Sequence, residues 1–140
     1  MNVIAVLQLT TTTISVCYHY GNGVKNASKD KKMITEELRR LQKVLEDVCE
    51  LVQDEEAKAA SRLPTLFSLL EKPGGLPHCR DELESLKAQL EPKVRRSTVT
   101  QLLVWPFKEG AIRQTLDNIA QFKELLVSAL NVDQTYAAHV

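Results

Sequence analysis

Few residues of this chain could do covalent chemistry, and they are scattered. His78 and Cys79 are neighbours, a pairing that suggests a cysteine nucleophile beside its general base. Successive residues on a helix point about 100° apart, so these two side chains do not face one another. The sequence offers no identifiable third group to orient the imidazole. We therefore predict that the pair has no catalytic role.

Sequence motifs for other chemistries are missing as well. Gly74-Gly75 is not followed by the Lys-Ser/Thr pair of a phosphate-binding loop, and the chain has no HExxH, GxSxG or paired CxxC. The acids within 81–84 come near the start of a predicted helix, where negative charge is favourable. His19 and His139 are isolated, and the apolar stripes lack the Glu and ExxH pairs of di-iron bundles. We predict no catalytic residue, no metal, no cofactor and no small-molecule substrate, and hence no enzyme.

The longest regular pattern in the chain runs from Ser28 to about Glu56. Apolar residues repeat there at alternating steps of three and four, which predicts a long helix with one buried stripe. Charged residues, Glu37 among them, fill the positions between and predict a solvated back. The predicted core seam consists of Ile34, Leu38, Leu41, Leu45, Val48 and Val52.

Four further segments have helical spacing and breakers at their ends. Residues 3–20 form a helix if Ile4, Leu7, Ile14, Cys17 and Tyr18 mark its apolar side. A short helix starts at Pro64, a longer one spans Pro77–Glu91, and the last runs from about Lys108 to Asp133. The predicted apolar stripes of the last two helices are Leu76, Cys79, Leu83, Leu86 and Leu90, and Ile112, Leu116, Ile119, Phe122, Leu126 and Leu130. Residues 98–104 are either a short helix or extended. The predicted fold is all-α, an up-and-down bundle of four main helices plus one or two short ones. It forms one domain over 1–140, with 136–140 as a tail.

Composition limits the function classes. The formal net charge is zero, so no global positive field attracts nucleic acid, and the aromatic signatures of RNA-binding modules are missing. Apolar residues make up 44% and charged residues 26%, which is typical of a folded domain. Three cysteines at irregular spacing predict free thiols rather than a disulfide framework, and Cys49 and Cys79 fall on apolar helix positions. We expect a reducing, intracellular setting.

The first 24 residues contain no Asp, Glu, Lys or Arg. Two interpretations fit such a helix: it is buried on most sides, or it is buried at rest and released to a membrane. The next helix carries Lys25, Lys29, Lys31 and Lys32 around its start and acids at its end, which opposes the helix dipole. Either neighbouring helix ends absorb that cost, or the basic end meets an anionic lipid surface or an acidic partner.

Trp105 and Phe107 flank a proline ahead of the last predicted helix. Two aromatic rings so close together either plug one end of the bundle or form a slot for a ligand or partner. We favour the plug, on packing grounds.

Several segments together resemble the N-terminal domain of fungal STAND (NOD-like) proteins, the HeLo-like helical domain. Some members are labelled after an azaphilone pigment biosynthesis cluster protein, a name that implies no chemistry. The resemblance covers nearly the whole chain, and none of its motifs is catalytic. The segments are "VIAVLQLTTTTISVCYHYGNGVKNASKDKKMITEEL", "LQKVLEDVCELV", "RLPTLFSLL", "LPHCRDELESLKAQL" and "LLVWPFKEGAIRQTLDNIAQFKELLVSALNVDQT".

The resemblance implies an effector module of fungal heterokaryon incompatibility or programmed cell death, placed before an NTPase domain in a longer parent protein. Similar bundles, among them that of the necroptosis executioner pseudokinase, oligomerise and expose the first helix to the plasma membrane. By that resemblance Val3, Ile4, Leu7 and Ile14 are membrane-insertion candidates. Lys25, Lys29, Lys31 and Lys32 are candidates for contact with lipid headgroups or a partner. The expected protein is cytoplasmic and recruited to an anionic plasma membrane. The alternative is an interaction adaptor that binds itself or another signalling protein and no lipid.

Overall fold

A computed structural model of the chain describes residues 3–21, 28–53, 63–71, 75–90, 107 and 110–138. These residues form five α-helices and no strand, so the predicted all-α helical bundle is confirmed. The helices are α1 (Val3–Gly21), α2 (Ser28–Gln53), α3 (Pro64–Glu71), α4 (Leu76–Leu90) and α5 (Ala111–Ala138).

The four long helices occupy the corners of the bundle. Helix α1 packs on α2 and α4, and α5 packs on α2 and α4 from the opposite corner, with the short α3 lying against α4 and α5. Helices α1 and α2 are antiparallel, because Tyr18 meets Lys31 while Thr11 meets Gln42. Helices α2 and α5 run parallel, because Glu37 meets Lys123 and, further along both helices, residues 44–51 share one groove with 127–134. Helix α1 is therefore a corner element of the bundle.

The predicted apolar stripes of α2, α4 and α5 form the core. The seam of α2 is fully buried from Ile34 to Val48, and Val52 is half-buried against the same core. The stripe of α4 is buried from Leu76 to Leu90, and that of α5 from Ile112 to Leu126, beyond which Ala129 is buried and Leu130 half-buried. Burying side chains of this size stabilises a fold by about 1.5–3 kcal/mol each. These three helices therefore carry most of the packing energy.

Backbone chemistry explains where the helices begin. Gly110 has a φ of +85°, a left-handed conformation that helical residues do not adopt, so α5 starts at Ala111 rather than at the predicted Lys108. Helix α4 opens one residue earlier than predicted, because the carbonyl of Gly75 already accepts from Cys79 N. Helix α5 continues past Asp133 to Ala138, so residues 136–138 of the predicted tail are helical. The predicted end of α2 at 54–56 lies outside the described residues.

The prediction that α1 is buried on most sides is wrong, and so is its predicted apolar face. The buried stripe is Val3, Val6, Thr10, Thr13 and Cys17. Of the five predicted positions only Cys17 belongs to it: Ile4 and Tyr18 are exposed, and Leu7 and Ile14 are half-buried. The remaining exposed positions of α1 are Ala5, Gln8, Thr11, Thr12, Ser15 and His19. Because α1 stands at a corner, much of its surface faces outward.

Glu37 was predicted to lie on the solvated back of α2, and this is also wrong. Its carboxylate is buried against α5, where Oε1 accepts from Lys123 Nζ at 2.9 Å and Oε2 accepts from Arg40 Nη1 at 3.2 Å. The side chains of Lys123 and Glu37 are only 13% and 12% exposed. A buried charge needs a close opposite charge and hydrogen bonds, and here both are present. The pair ties α2 to α5 in the third turn of α2 and near the middle of α5.

Candidate interaction surfaces

The inner face of α1 is built from small and hydroxylated side chains. Thr10 and Thr13 are fully buried, and their hydroxyls donate to the carbonyls of Val6 at 2.8 Å and Leu9 at 2.7 Å. These bonds lie within α1 itself, so no hydroxyl of the stripe needs a partner on another helix. The fully buried apolar residues of α1 are Val3, Val6 and Cys17, and Leu7, Leu9, Ile14 and Val16 are half-buried against the same core. The side chains that α1 buries fully are thus smaller than the leucines of its neighbours.

The four membrane-insertion candidates do not share one environment. Val3 is buried in the core, Leu7 and Ile14 are half-buried against it, and Ile4 is 37% exposed. Beside them, Thr11 accepts a hydrogen bond from Gln42 Nε2 of α2 at 2.9 Å. Insertion of all four side chains into lipid would require α1 to leave the bundle, because α1 is packed against α2 and α4.

A basic corner forms where the end of α1 meets the start of α2, and we define it by Tyr18, Lys29, Lys31 and Lys32. The Lys31 ammonium lies over the Tyr18 ring, 4.5 Å from its centre, a cation–π contact. Lys29 and Lys32 are exposed, and Tyr18 is 51% exposed. All three lysines lie in the first two turns of α2, and Lys31 is the one that contacts α1. Lys25, the fourth predicted lysine, lies outside the described residues.

The other end of α2 is acidic and borders an open groove of about 640 Å³ between α2 and α5. We call it the acidic groove. Its apolar lining is Val44, Leu51, Val127 and Leu130, and its polar lining is Asp47, Glu50, Asn131 and Gln134. Leu51 is 38% exposed, and both acids are exposed. The sequence pattern predicted the acids but missed the groove, because a groove depends on which helices become neighbours.

The three thiols are free and buried, as predicted for Cys49 and Cys79. Burial raises the pKa of the Cys79 thiol to about 12, and the nearby Glu82 carboxylate adds to the effect. Burial likewise raises the pKa of Cys17 to about 11, although Lys31 acts in the opposite direction. Burial also raises the pKa of Cys49. A thiol of raised pKa is protonated and poorly nucleophilic at neutral pH.

The His78 side chain does not face the Cys79 thiol. Its Nε2 lies 3.7 Å from Glu82 Oε1, and the same oxygen accepts from Asn118 Nδ2 of α5 at 3.0 Å. Since Cys79 is 1% exposed while His78 is exposed, the two side chains face different environments. This arrangement ties α4 to α5.

One buried carboxylate was missed by the sequence analysis and has a clear structural task. Asp133 of α5, 2% exposed, accepts from Thr65 N at 3.1 Å and from Leu66 N at 2.9 Å. Those amides belong to the first turn of α3, where backbone donors lack partners within the helix. Leu63, whose carbonyl accepts from Phe67 N, has no polar side chain to cap them. Asp133 therefore caps α3 from another helix.

The aromatic plug is described only in part. Phe107 is half-buried and packs against the core, which agrees with its predicted place at the border of the bundle. Trp105 and the segment 98–104 lie outside the described residues, so the plug as a pair stays a prediction.

Metal sites and membrane-spanning helices are the remaining features to consider among the described residues. No three His, Cys, Asp or Glu side chains within that part of the chain are grouped so that they could hold a metal ion. Among the five helices described, none is at once long and apolar enough to cross a membrane. No family model, curated protein or solved structure matches the chain significantly.

Proposed function

We propose that this chain is a non-enzymatic signalling module that self-associates and engages an anionic membrane through α1 and the basic corner. The observation that carries the proposal is the place and the packing of α1. The segment of α1 holds no Asp, Glu, Lys or Arg, and the side chains that the helix buries fully are Val, Thr and Cys, with no Leu or Ile among them. Such a helix can leave the bundle while the leucine-rich core of α2, α4 and α5 stays together.

The energetics of α1 support release. Each buried CH₂ group contributes about 0.8 kcal/mol to docking, and two positions of the stripe carry a hydroxyl instead of a methyl. The hydroxyl bonds of Thr10 and Thr13 to their own helix persist whether α1 is docked or free. They therefore add nothing to the docked state. On a membrane, Ile4, Leu7 and Ile14 would meet lipid while Lys29 and Lys32 meet anionic headgroups.

The resemblance to HeLo-like domains of fungal STAND proteins supports the same function. It places the activity at the cytoplasmic face of the plasma membrane, in heterokaryon incompatibility or programmed cell death. It also implies an NTPase domain in the longer parent protein. In that setting the NTPase domain would control assembly, and the helical module would carry the signal to the membrane.

Vesicle flotation tests the proposal with two variants that act on different steps. We expect wild type to float with phosphatidylserine-containing vesicles and not with neutral ones, and less at high salt. Lys29→Glu with Lys32→Glu should lower flotation by removing the attraction to headgroups. A threonine variant, Thr11→Cys with Gln42→Cys joined by a short thiol crosslinker, should not float, because these neighbouring side chains would then tether α1 to α2.

A matched control separates the effect of the two lysine substitutions at the basic corner from the effect of a change in net charge. Arg113→Glu with Gln121→Glu and Ser128→Glu changes the net charge equally, on exposed positions of α5, and should float as wild type does. If the threonine variant floats as well as wild type while the lysine variant does not, α1 is not released and only surface adsorption remains. Wild type that never floats contradicts the membrane function.

A second candidate function is an interaction adaptor without membrane activity. The acidic groove favours it, because an apolar floor with a charged rim is typical of surfaces that bind a partner helix. This candidate predicts no flotation with either kind of vesicle. It also predicts that Leu51→Gln with Leu130→Gln removes association while the bundle stays folded.

A further inference from the structure

The charges of α2 are separated along its length. Lys29 and Lys32 are exposed in the first turns, and Asp47 and Glu50 are exposed in the last turns. From Lys31 to Asp47 the helix rises about 24 Å, at ~1.5 Å per residue. That exceeds the Debye length of about 8 Å at physiological salt, so the two ends cannot stabilise one another. The described residues place no basic side chain within ion-pairing distance of either acid.

The two ends also differ in shape. The acidic groove is concave and has an apolar floor that includes Leu51 and Leu130. The basic corner carries an exposed aromatic ring, Tyr18, beside the ammonium of Lys31. Tyrosine is enriched at the energetic centres of protein interfaces, because it buries a large apolar area and keeps a polar tip. A groove of about 640 Å³ can admit such a ring with the lysine side chains at its rim.

We propose that the basic corner of one copy docks into the acidic groove of a second copy of this chain. Tyr18 enters between α2 and α5 of the second copy, and Lys29 and Lys32 pair with Asp47 and Glu50. Charge complementarity argues for this occupant, because the chain itself carries the surface that fits the groove. The zero net charge removes long-range repulsion between copies.

An interface of this kind is head-to-tail. The corner and the groove are different surfaces at opposite ends of α2, so each docked pair leaves one free corner and one free groove. Association therefore continues from copy to copy, giving a ring or an open chain. The inference specifies the self-association in the proposed function and rests on it, and it can be wrong while another surface mediates self-association.

Sedimentation velocity on two complementary variants tests the interface. The corner variant is Tyr18→Ala with Lys29→Gln and Lys32→Gln, and the groove variant is Asp47→Asn with Glu50→Gln and Leu51→Gln. We expect wild type to self-associate more weakly as salt rises, and each variant alone to need at least tenfold higher concentration. An equimolar mixture should form a one-to-one heterodimer and nothing larger, because only one intact corner and one intact groove remain.

The control variant changes one acid, one base and one exposed leucine on α4 and α5: Glu84→Gln, Arg113→Gln and Leu125→Gln. It should assemble as wild type does. Wild-type self-association that both variants leave unchanged overturns this interface and leaves the proposed self-association intact. Two monomeric variants that do not pair when mixed overturn the head-to-tail arrangement. Wild type that stays monomeric at every concentration, in solution and on vesicles, overturns both the interface and the self-association.

Discussion

At the scale of single residues, Asp133 shows how one side chain connects two parts of the fold that are distant in sequence. Helix α3 has Leu63 before its first turn, so it cannot cap itself. Asp133 supplies both carboxylate oxygens to Thr65 N and Leu66 N from a buried position on α5. The cap fixes α3 against α5, and the apolar side of α3 then closes the core through Leu66 and Leu70.

Replacing Asp133 by alanine should destabilise the protein by about 3 kcal/mol. Two backbone amides would lose charged acceptors, and each such bond is worth about 1.5–3 kcal/mol, so the prediction takes the lower end of that range. Asp133→Asn, which keeps one carbonyl acceptor, should lose about half as much. Urea unfolding followed by circular dichroism measures both, with Asp117→Ala on the exposed side of α5 as control. Equal stability of Asp133→Ala and the control would show that the Asp133 carboxylate does not stabilise α3.

Part of this was readable from the sequence. The steps of the α5 stripe, from Ile112 through Leu126, lead on to Asp133, so an acid occupies a position that the periodicity marks as buried. The same holds for Glu37, which is three residues after Ile34 and four before Leu41. A charged residue in line with an apolar stripe is a signal of a buried partner. The identity of the partner depends on tertiary packing and cannot be read from one helix.

At the scale of helices, the Glu37–Lys123 pair sets the register between α2 and α5. Both side chains are mostly buried, and the two atoms lie 2.9 Å apart. The leucine stripes on either side would pack acceptably after a small slide, whereas a buried ion pair has one good geometry. The pair therefore specifies which turns of the two helices meet, and so where the acidic groove forms.

Lys123→Met should destabilise the protein by about 3 kcal/mol, because it leaves the Glu37 carboxylate buried with Arg40 as its remaining partner. The double variant Glu37→Met with Lys123→Met should recover most of that loss, because no charge is left buried. Thermal unfolding of the two single variants and the double variant gives the coupling free energy. The control is Glu124→Met, an exposed position on α5, with an expected change within about 0.5 kcal/mol. Additive effects would show that the pair does not couple the helices.

Helix α1 shows where sequence patterns fail at this scale. Its Ile and Leu residues predicted the wrong face, and the structure buries Thr10 and Thr13 instead. Two stripes run along α1 one position apart, the buried one that begins at Val3 and the predicted one that begins at Ile4. Residue type alone favours burial of the second, because its side chains are larger. The corner position decides otherwise, because contact with both α2 and α4 favours the stripe between them. By contrast, α2, α4 and α5 each have one dominant stripe, and for them the prediction is confirmed.

At the scale of the whole molecule, the sequence predicted the class of fold and the main helices but not the surfaces between them. The sequence shows the separation of charge along α2, but not that α5 forms a groove beside its acidic end. The basic corner likewise depends on α1 ending beside the start of α2. Both surfaces arise from the arrangement of helices, which one sequence constrains only loosely. Under the proposed function, the decisive part of that arrangement is the attachment of α1 to α2 and α4.

Native-state hydrogen exchange tests that attachment most directly. If α1 opens as a unit, the free energy of opening measured at the amides of Val3–Gly21 should be at least about 2 kcal/mol lower than that of global unfolding. The amides of α2 and α5 should report the global value. Thr10→Val with Thr13→Val should raise both opening free energies by about 1.6 kcal/mol and leave their difference unchanged, because the docking of α1 is lost in both openings. Amides of α1 that exchange only with global unfolding, at the same free energy as those of α2 and α5, would contradict a releasable first helix.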